Sequence, residues 1–253
     1  MGKFDKKVVI VTGASSGIGA ATAILFANEG ANVVVTGRNK ERLQETAKKC
    51  KAAGAQVLEV IADLVKFENL ESLVKKSVEK FGGIDILINN AGYGRAEMVE
   101  TLELDEYERI FNANLRAPVF LCKYALPHLK KTKGCVVNVS SCASLHATPQ
   151  SVPYSMTKSA LDHFTRGFSA ECAPFKVRVN CINPAVVGTR FGENLNIPKE
   201  TMDKLIGAYM KRQPLGIISS EQVADGILYL CSSPVTTGIT LPMDGGLLNS
   251  SSM

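Results

Sequence analysis

The sequence predicts an α/β protein built on a doubly wound parallel sheet of about seven strands, with helices on both faces. Short apolar runs rich in β-branched residues recur along the chain, and each is followed, after a brief turn, by a stretch with helical spacing. Such runs suit strands buried on both faces, and their alternation with helices marks parallel crossover units. No repeat, linker or low-complexity tract interrupts the pattern, so residues 1–253 are read as one domain.

Val8–Thr12 is the first run. Gly13-Ala14-Ser15-Ser16-Gly17-Ile18-Gly19 follows, and then helical spacing from Ala20 to Glu29, stopped by Gly30. Strand, glycine-rich turn and helix in that order make a phosphate-binding unit, because glycines admit a pyrophosphate close to the backbone and the helix N-terminus carries partial positive charge. The second strand, Asn32–Thr36, ends at Gly37-Arg38-Asn39. An acid there would bond the ribose 2′-hydroxyl of NAD, whereas an arginine accommodates the 2′-phosphate of NADP. Arg38 therefore favours NADP(H), with NAD at lower affinity.

A helix from Lys40 to Ala53 and a strand from Val57 to Ile61 lead to Asp63-Leu64. Asp63 fits either an adenine contact or a helix N-cap. A helix over Phe67–Phe81 precedes the strand Asp85–Ile88, which runs into Asn89-Asn90-Ala91-Gly92, small and amide residues suited to lie against a ribose. The helical stretch Glu103–Lys131 contains Asn114, and a buried mid-helix Asn needs a specific partner. The fifth strand, Cys135–Val139, ends at Ser140-Ser141. After the helix bearing Tyr154 come the strand Val177–Ile182 and the turn Asn183-Pro184-Ala185-Val186-Val187-Gly188-Thr189. Residues 190–214, broken at Gly192, Pro198 and Pro214, read as a less regular lid. A helix over Ser220–Leu230 and a strand near Gly238–Leu241 complete the alternation.

Tyr154-Ser155-Met156-Thr157-Lys158 carries the candidate chemistry. Tyr and Lys four residues apart lie on one helix face, so an ammonium can sit beside a phenol. A free phenol titrates near 10, and an adjacent cation lowers such a pKa by roughly 1 to 3 units, toward the range useful for acid/base work.

Composition excludes several alternatives. Apolar residues make up 45% and charged residues 21%, the net charge is +5, and basic residues are dispersed among acids, which argues against a nucleic-acid partner. No apolar run reaches the roughly 18 residues of a membrane span. Seven cysteines without CxxC spacing suggest neither a disulfide framework nor a metal site, and a reduced, cytoplasmic setting is expected. His128 and His163 read as surface or subunit-interface residues, and His146 as a border of the cleft. Cys142 has no paired base to make it a nucleophile.

The ordered set Thr12-Gly13-x-x-x-Gly17-x-Gly19, Asn89-Asn90-Ala91-Gly92, Asn114, Ser141, Tyr154-x-x-x-Lys158 and Asn183-Pro184 resembles the classical short-chain dehydrogenase/reductases over essentially the whole chain. The resemblance implies a Rossmann-type domain that moves hydride between a nicotinamide cofactor and a carbonyl or alcohol. By that resemblance Tyr154 transfers the proton, Lys158 depresses its pKa and holds the nicotinamide ribose, Ser141 binds the substrate oxygen, and Asn114 holds a water linking Lys158 to solvent. Thr189 and the Val187 backbone match positions for the carboxamide. The implied cofactor site comprises Gly13, Ser15, Ser16, Gly17, Ile18, Gly19, Arg38, Asp63, Leu64, Asn90, Ala91, Gly92, Tyr154, Lys158, Pro184, Val187 and Thr189.

Two departures stand out: Ala185 replaces a common glycine, and Ser16 replaces the second basic residue of some NADP-preferring relatives. The apolar set Ala160, Phe164, Gly167 and Phe168 fits the dimers or tetramers common in the family. Phe191, Leu195, Ile197, Met202, Leu205, Ile206, Tyr209 and Met210 in the lid suggest a hydrophobic small-molecule substrate. Two functional readings follow: an NADP(H)-dependent reductase or its alcohol-oxidising reverse, NAD-preferring in one variant, and a cofactor-binding sensor or scaffold without turnover.

Overall fold

The computed structural model of the protein describes residues 2–195 and 197–250. Among these, the strands are β1 (Val8–Thr12), β2 (Asn32–Gly37), β3 (Val57–Ile61), β4 (Ile86–Asn89), β5 (Cys135–Val139), β6 (Arg178–Pro184) and β7 (Thr240–Met243). They form one parallel sheet in the order β3-β2-β1-β4-β5-β6-β7. The helices are α1 (Gly17–Asn28), α2 (Lys40–Ala52), α3 (Glu68–Phe81), α4 (Leu104–Phe111), α5 (Ala117–Thr132), α6 (Val152–Cys172), α7 (Lys199–Arg212) and α8 (Ser220–Ser232).

The continuous apolar runs have a simple cause. Successive strand residues point to opposite faces, so a strand covered on both sides needs an apolar residue at every position. Val9 and Val11 of β1 pack with Ala23 and Phe26 of α1 and with Val223 and Ile227 of α8. Ile10, between them, packs on the other face with Leu70 and Leu73 of α3 and Leu121 of α5. Val33 and Val35 against Val34, and Ile86 and Ile88 against Leu87, divide in the same way.

Strand order reverses between β1 and β4, and ligands of such sheets bind in the crevice beyond the carboxyl ends of the strands at that point. All the candidate residues named above except Arg38, which follows β2, fall after β1, β3, β4, β5 or β6, or on the helices that start there.

The structure corrects several boundaries. The stretch read as one helix over 103–131 is α4 and α5 joined by a widened turn at Asn112–Arg116, where the Ala117 N–H reaches back five residues to the Asn112 carbonyl. Pro118 accounts for the widening: it has no N–H for the Asn114 carbonyl, and its ring would press on that carbonyl in a regular helix. β6 runs on through Asn183-Pro184, and β7 begins two residues later than expected. The segment read as irregular over 190–214 contains α7, and Pro198 is the residue at its N-cap, so the break flanks the helix instead of dissolving it. Of the lid residues named above, the side chains of Leu205 and Met210 are not described.

Leu87, in the central strand β4, is fully buried. Leu87→Ala is expected to destabilise the protein by about 2–5 kcal/mol through lost burial and the cavity left behind. Urea unfolding measures it, and an unchanged midpoint would contradict the core described.

Candidate active site

A cavity of about 610 Å³ opens at the switch point and is bordered by residues from the glycine-rich turn at one end and from α6 and α7 at the other. Its walls are fastened through Thr12. The Thr12 hydroxyl accepts from the Asn90 and Ala91 N–H groups, both at 2.9 Å, and donates to the Ile88 carbonyl at 3.2 Å. The Asn90 amide donates to the Thr12 and Gly13 carbonyls at 2.8 and 3.3 Å, tying the end of β4 to the turn after β1.

Gly13, Ser15, Ser16, Gly17 and Ile18 border the cavity. Gly17 has φ +55°, and a Cβ there would stand 2.9 Å from the Thr189 side chain, so the turn after β6 closes over this loop only because Gly17 has no side chain. Ser16 is the N-cap of α1, yet its side chain makes no capping bond and the first turn holds no acid. The first N–H groups of α1 thus lack a side-chain acceptor, which makes this helix end an anion site. Gly19 corrects its assignment: it does not border the cavity, and a Cβ there would lie 2.4 Å from both the Asn90 amide nitrogen and the Gly13 oxygen. It packs the loop rather than facing a ligand.

Beyond β2, Arg38 borders the cavity together with Arg42, which the sequence reading missed. Asn39 caps α2 by accepting the Arg42 N–H at 2.9 Å. Asp63 and Leu64 border the same end. Asp63 is not a helix N-cap: its carboxylate accepts the Val65 N–H at 3.1 Å in a local turn, and α3 starts only at Glu68.

At the reactive end, Gly92, Ser141, Tyr154 and Lys158 meet. Lys158 is 3% exposed, and its Nζ donates to the Val139 carbonyl at 2.9 Å. Burial pulls its pKa down to about 8, with Cys181 and Asp162 pulling it partly back. Tyr154 goes the other way from the sequence expectation. Burial pushes its phenol up to about 12, the Ser141 hydroxyl draws it partly back, and Cys142 pushes it further up. Desolvation of the phenolate outweighs any help from Lys158, whose ammonium is engaged by Val139 and stands 5.6 Å from the phenol ring centre.

Asn114 has the partner its burial demands, and it lies behind the cavity wall. Its Oδ1 accepts the Tyr93 N–H at 2.8 Å, and its Nδ2 donates to the Tyr93 carbonyl at 2.8 Å and to Thr157 Oγ1 at 3.2 Å. The Thr157 hydroxyl in turn donates to the Tyr154 carbonyl at 2.6 Å. Asn114 thereby joins the loop after β4 to the first turn of α6. Pro184, Val187 and Thr189 border the cavity, and the Thr189 hydroxyl accepts the Phe191 N–H at 3.3 Å. Ala185 is not among the residues with positive φ, so its Cβ is tolerated without strain.

The structure adds Asp162 and Arg42 to the set and brings Phe191 of the expected lid against Tyr154. Asp162 follows Lys158 as Lys158 follows Tyr154, so the spacing 154, 158, 162 could have flagged it as facing the same way. Phe191 lies 5.7 Å from the Tyr154 ring, centre to centre. His146 borders the cavity, its Nδ1 bonded to the Cys142 carbonyl at 2.9 Å and hence protonated. Among the described residues, no three His, Cys, Asp or Glu side chains are grouped to hold a metal ion, and no helix is long and apolar enough to cross a membrane.

A doubly wound sheet, an uncapped helix end at a glycine-rich turn and, at the other end of one cavity, a half-buried Tyr beside a buried Lys define a nicotinamide-dependent oxidoreductase. The comparisons agree. The family described as short chain dehydrogenase matches residues 7–200. The 3-oxoacyl-[acyl-carrier-protein] reductase FabG of Thermotoga maritima is 32% identical over 250 residues, covering 97% of this chain and 99% of that protein. A short-chain dehydrogenase/reductase of unknown function from Caenorhabditis elegans, solved with cofactor, superposes with a TM-score of 0.92 at 35% identity, covering 99% and 98% of the two chains. The 3-ketoacyl-(acyl-carrier-protein) reductase of Brucella melitensis, solved with NADH, gives 0.87 at 30% identity over 96% and 99%. The chain belongs to the short-chain dehydrogenase/reductase family.

Cys142 borders the cavity, but burial, with Asp244 and Asp162 nearby, pushes its thiol up to about 12. At pH 8 only about one molecule in 10⁴ would carry the thiolate that reacts with alkylating agents. Cys142 is therefore expected to stay unmodified by iodoacetamide at pH 8 in the folded protein and to react after unfolding. Peptide mass spectrometry checks this, and rapid labelling of the folded protein would contradict the environment described.

Proposed function

We propose that the protein interconverts a carbonyl and an alcohol with NADP(H), using Tyr154 as the general acid and base. The observation that carries this reading is half-buried Tyr154 with buried Lys158 beside Ser141, at one end of a cavity whose other end is the uncapped N-terminus of α1. When bound, the nicotinamide cofactor supplies or accepts the hydride. Gly13, Ser15, Ser16, Gly17 and Ile18 would hold its pyrophosphate, Asp63 and Leu64 would border the adenine, and Asn90, Ala91 and Gly92 would lie along the sugar. Lys158 would hold the nicotinamide ribose, and Pro184, Val187 and Thr189 the carboxamide.

Ser141 then donates a hydrogen bond to the substrate oxygen while Tyr154 delivers the proton. A phenol held near 12 is protonated at neutral pH, which is the form carbonyl reduction requires; alcohol oxidation requires the phenolate. Residues 190–214 act as the lid, and its apolar side chains Phe191, Leu195, Ile197, Met202 and Ile206 border the cavity and favour a hydrophobic substrate. Association into dimers or tetramers through α5 and α6 belongs to the same reading.

NADP preference rests on Arg38, now joined by Arg42. The NADH found with the Brucella melitensis reductase favours a second reading, NAD preference.

Two experiments test the proposal. Incubation of the protein with NADPH and ethyl acetoacetate, 2,3-butanedione and other carbonyls should consume cofactor; total inactivity with tight NADPH binding would point to a sensor. Tyr154→Phe should then lower turnover by at least ~10² while NADPH affinity holds, and retention of a tenth of wild-type turnover would remove Tyr154 from its role.

For the cofactor, each arginine bound to the 2′-phosphate contributes about 1.5–3 kcal/mol, or roughly 10- to 150-fold. Arg38→Asp with Arg42→Leu should reverse the preference to NADH, read as kcat/KM for both cofactors at low ionic strength. The change is made at Arg38 because a Cβ at Gly37 would stand 3.1 Å from the Ser15 side chain. A wild type without NADPH preference, or a variant that keeps it, would refute the assignment.

A further inference from the structure

We infer that Asp162 is a positioning residue that fixes Ser141 relative to Tyr154 and Lys158; the inference rests on the reaction proposed above. Asp162 is 3% exposed, on the face of α6 that carries Tyr154 and Lys158 one and two turns earlier. Its Oδ2 accepts from the Ser144 hydroxyl at 2.6 Å and from the Asn183 amide at 2.9 Å, and its Oδ1 accepts from the Cys181 thiol at 3.2 Å. Both Oδ2 donors also reach Ser141 itself: Ser144 Oγ lies 2.7 Å, and Asn183 Nδ2 3.2 Å, from the Ser141 carbonyl oxygen. The Asn183 amide nitrogen also lies 2.8 Å from Ser144 Oγ; the three protons of these two groups are shared among the five contacts, and the Ser144 N–H donates to the Ser141 carbonyl at 3.0 Å besides.

One carboxylate thus joins the helix bearing the proton donor, the short turn bearing the oxygen-binding serine, and the strand that leads to Pro184. No Lys or Arg lies within ion-pair distance of it among the described residues. Burying a carboxylate with only neutral donors is costly, and an apolar residue would hold α6 to β6 more cheaply. A carboxylate, unlike an amide, accepts on both oxygens and presents no N–H to the three donors that surround it. That requirement explains why an acid stands here. The Ser141 backbone is held through its carbonyl, and its hydroxyl oxygen accepts the Ala143 N–H at 3.1 Å, which leaves the hydroxyl proton to turn toward the Tyr154 phenol.

The test is a double-mutant cycle with Asp162→Asn and Ser141→Ala, run with NADPH and with ethyl acetoacetate and 2,3-butanedione as probes. Asp162→Asn alone should lower kcat by roughly 10- to 100-fold, the scale of a small misplacement of a reacting group, with NADPH affinity within about threefold of wild type. In the Ser141→Ala background the same change should cost less than about threefold, because the serine it positions is already gone. A full multiplicative loss in that background would mean that Asp162 acts independently of Ser141, and the inference falls.

Amide hydrogen exchange supplies a readout that needs no turnover. Asp162→Asn should speed exchange at residues 143–146, whose N–H groups bond to Ser141 and Cys142, and leave β5 protected. Unchanged protection at 143–146 also overturns the inference. If wild type turns over neither probe, the proposed reaction fails by itself, and the exchange experiment still decides the role of Asp162. If Asp162→Asn does not fold, Ser144→Ala takes its place in both experiments, with the same outcomes deciding.

Discussion

A lysine ammonium carried almost wholly into the interior is the constraint on which the reactive end of the molecule depends. Burying a charge costs several kcal/mol even after relaxation, and a lysine so placed tends to lose its proton. Lys158 retains a pKa of about 8, so it is still mostly charged at neutral pH. The Val139 carbonyl at the end of β5 receives the ammonium, and Gly92 lies beside it, where a Cβ would stand at ordinary contact distance, 3.7 Å from Nζ and 3.4 Å from Asn114 Oδ1. The parallel sheet makes this possible, since every strand delivers its last carbonyl to the same edge.

Asn114 extends that constraint into the next layer. Its carboxamide matches both hydrogen-bonding groups of the Tyr93 backbone and still reaches Thr157, which bonds the Tyr154 carbonyl. A regular helix through residues 112–116 would present the Asn114 side chain at a different angle, and Pro118 prevents it. Backbone chemistry four residues away thereby sets where the first turn of α6 stands. Asp162 does for the far side of Lys158 what Asn114 does for the near side.

Much of this was legible before any coordinates. The apolar runs of β1, β2, β4 and β5 gave strands because both faces of the sheet are covered, and their bounds agree with the structure to within a residue at most ends. The glycine-rich turn and the Tyr154–Lys158 pair were readable because each follows from local spacing. What escaped is non-local. Arg42 lies on the outside of an ordinary charged helix in sequence, and only the Asn39 cap and the curl of α2 bring it beside Arg38. The phenol's pKa escaped because a one-dimensional reading shows the nearby cation and not the burial that opposes it. Asp162 was not singled out in the sequence, because Cys181, Ser144 and Asn183, each from a different stretch, surround it only in the fold.

Part of the enclosure around the Tyr154 ring comes from the segment that follows β6. Phe191 follows the turn after β6 directly, held there by its N–H bond to Thr189, and packs against the Tyr154 ring. Gly94, on the loop after β4, lies beneath both rings: a Cβ there would meet Phe191 at 2.9 Å and Tyr154 at 3.3 Å. Three segments distant in sequence therefore share one contact, and none can move without disturbing the phenol. Because Thr189 also approaches Gly17 across the cavity, the same turn that positions Phe191 touches the anion-binding loop.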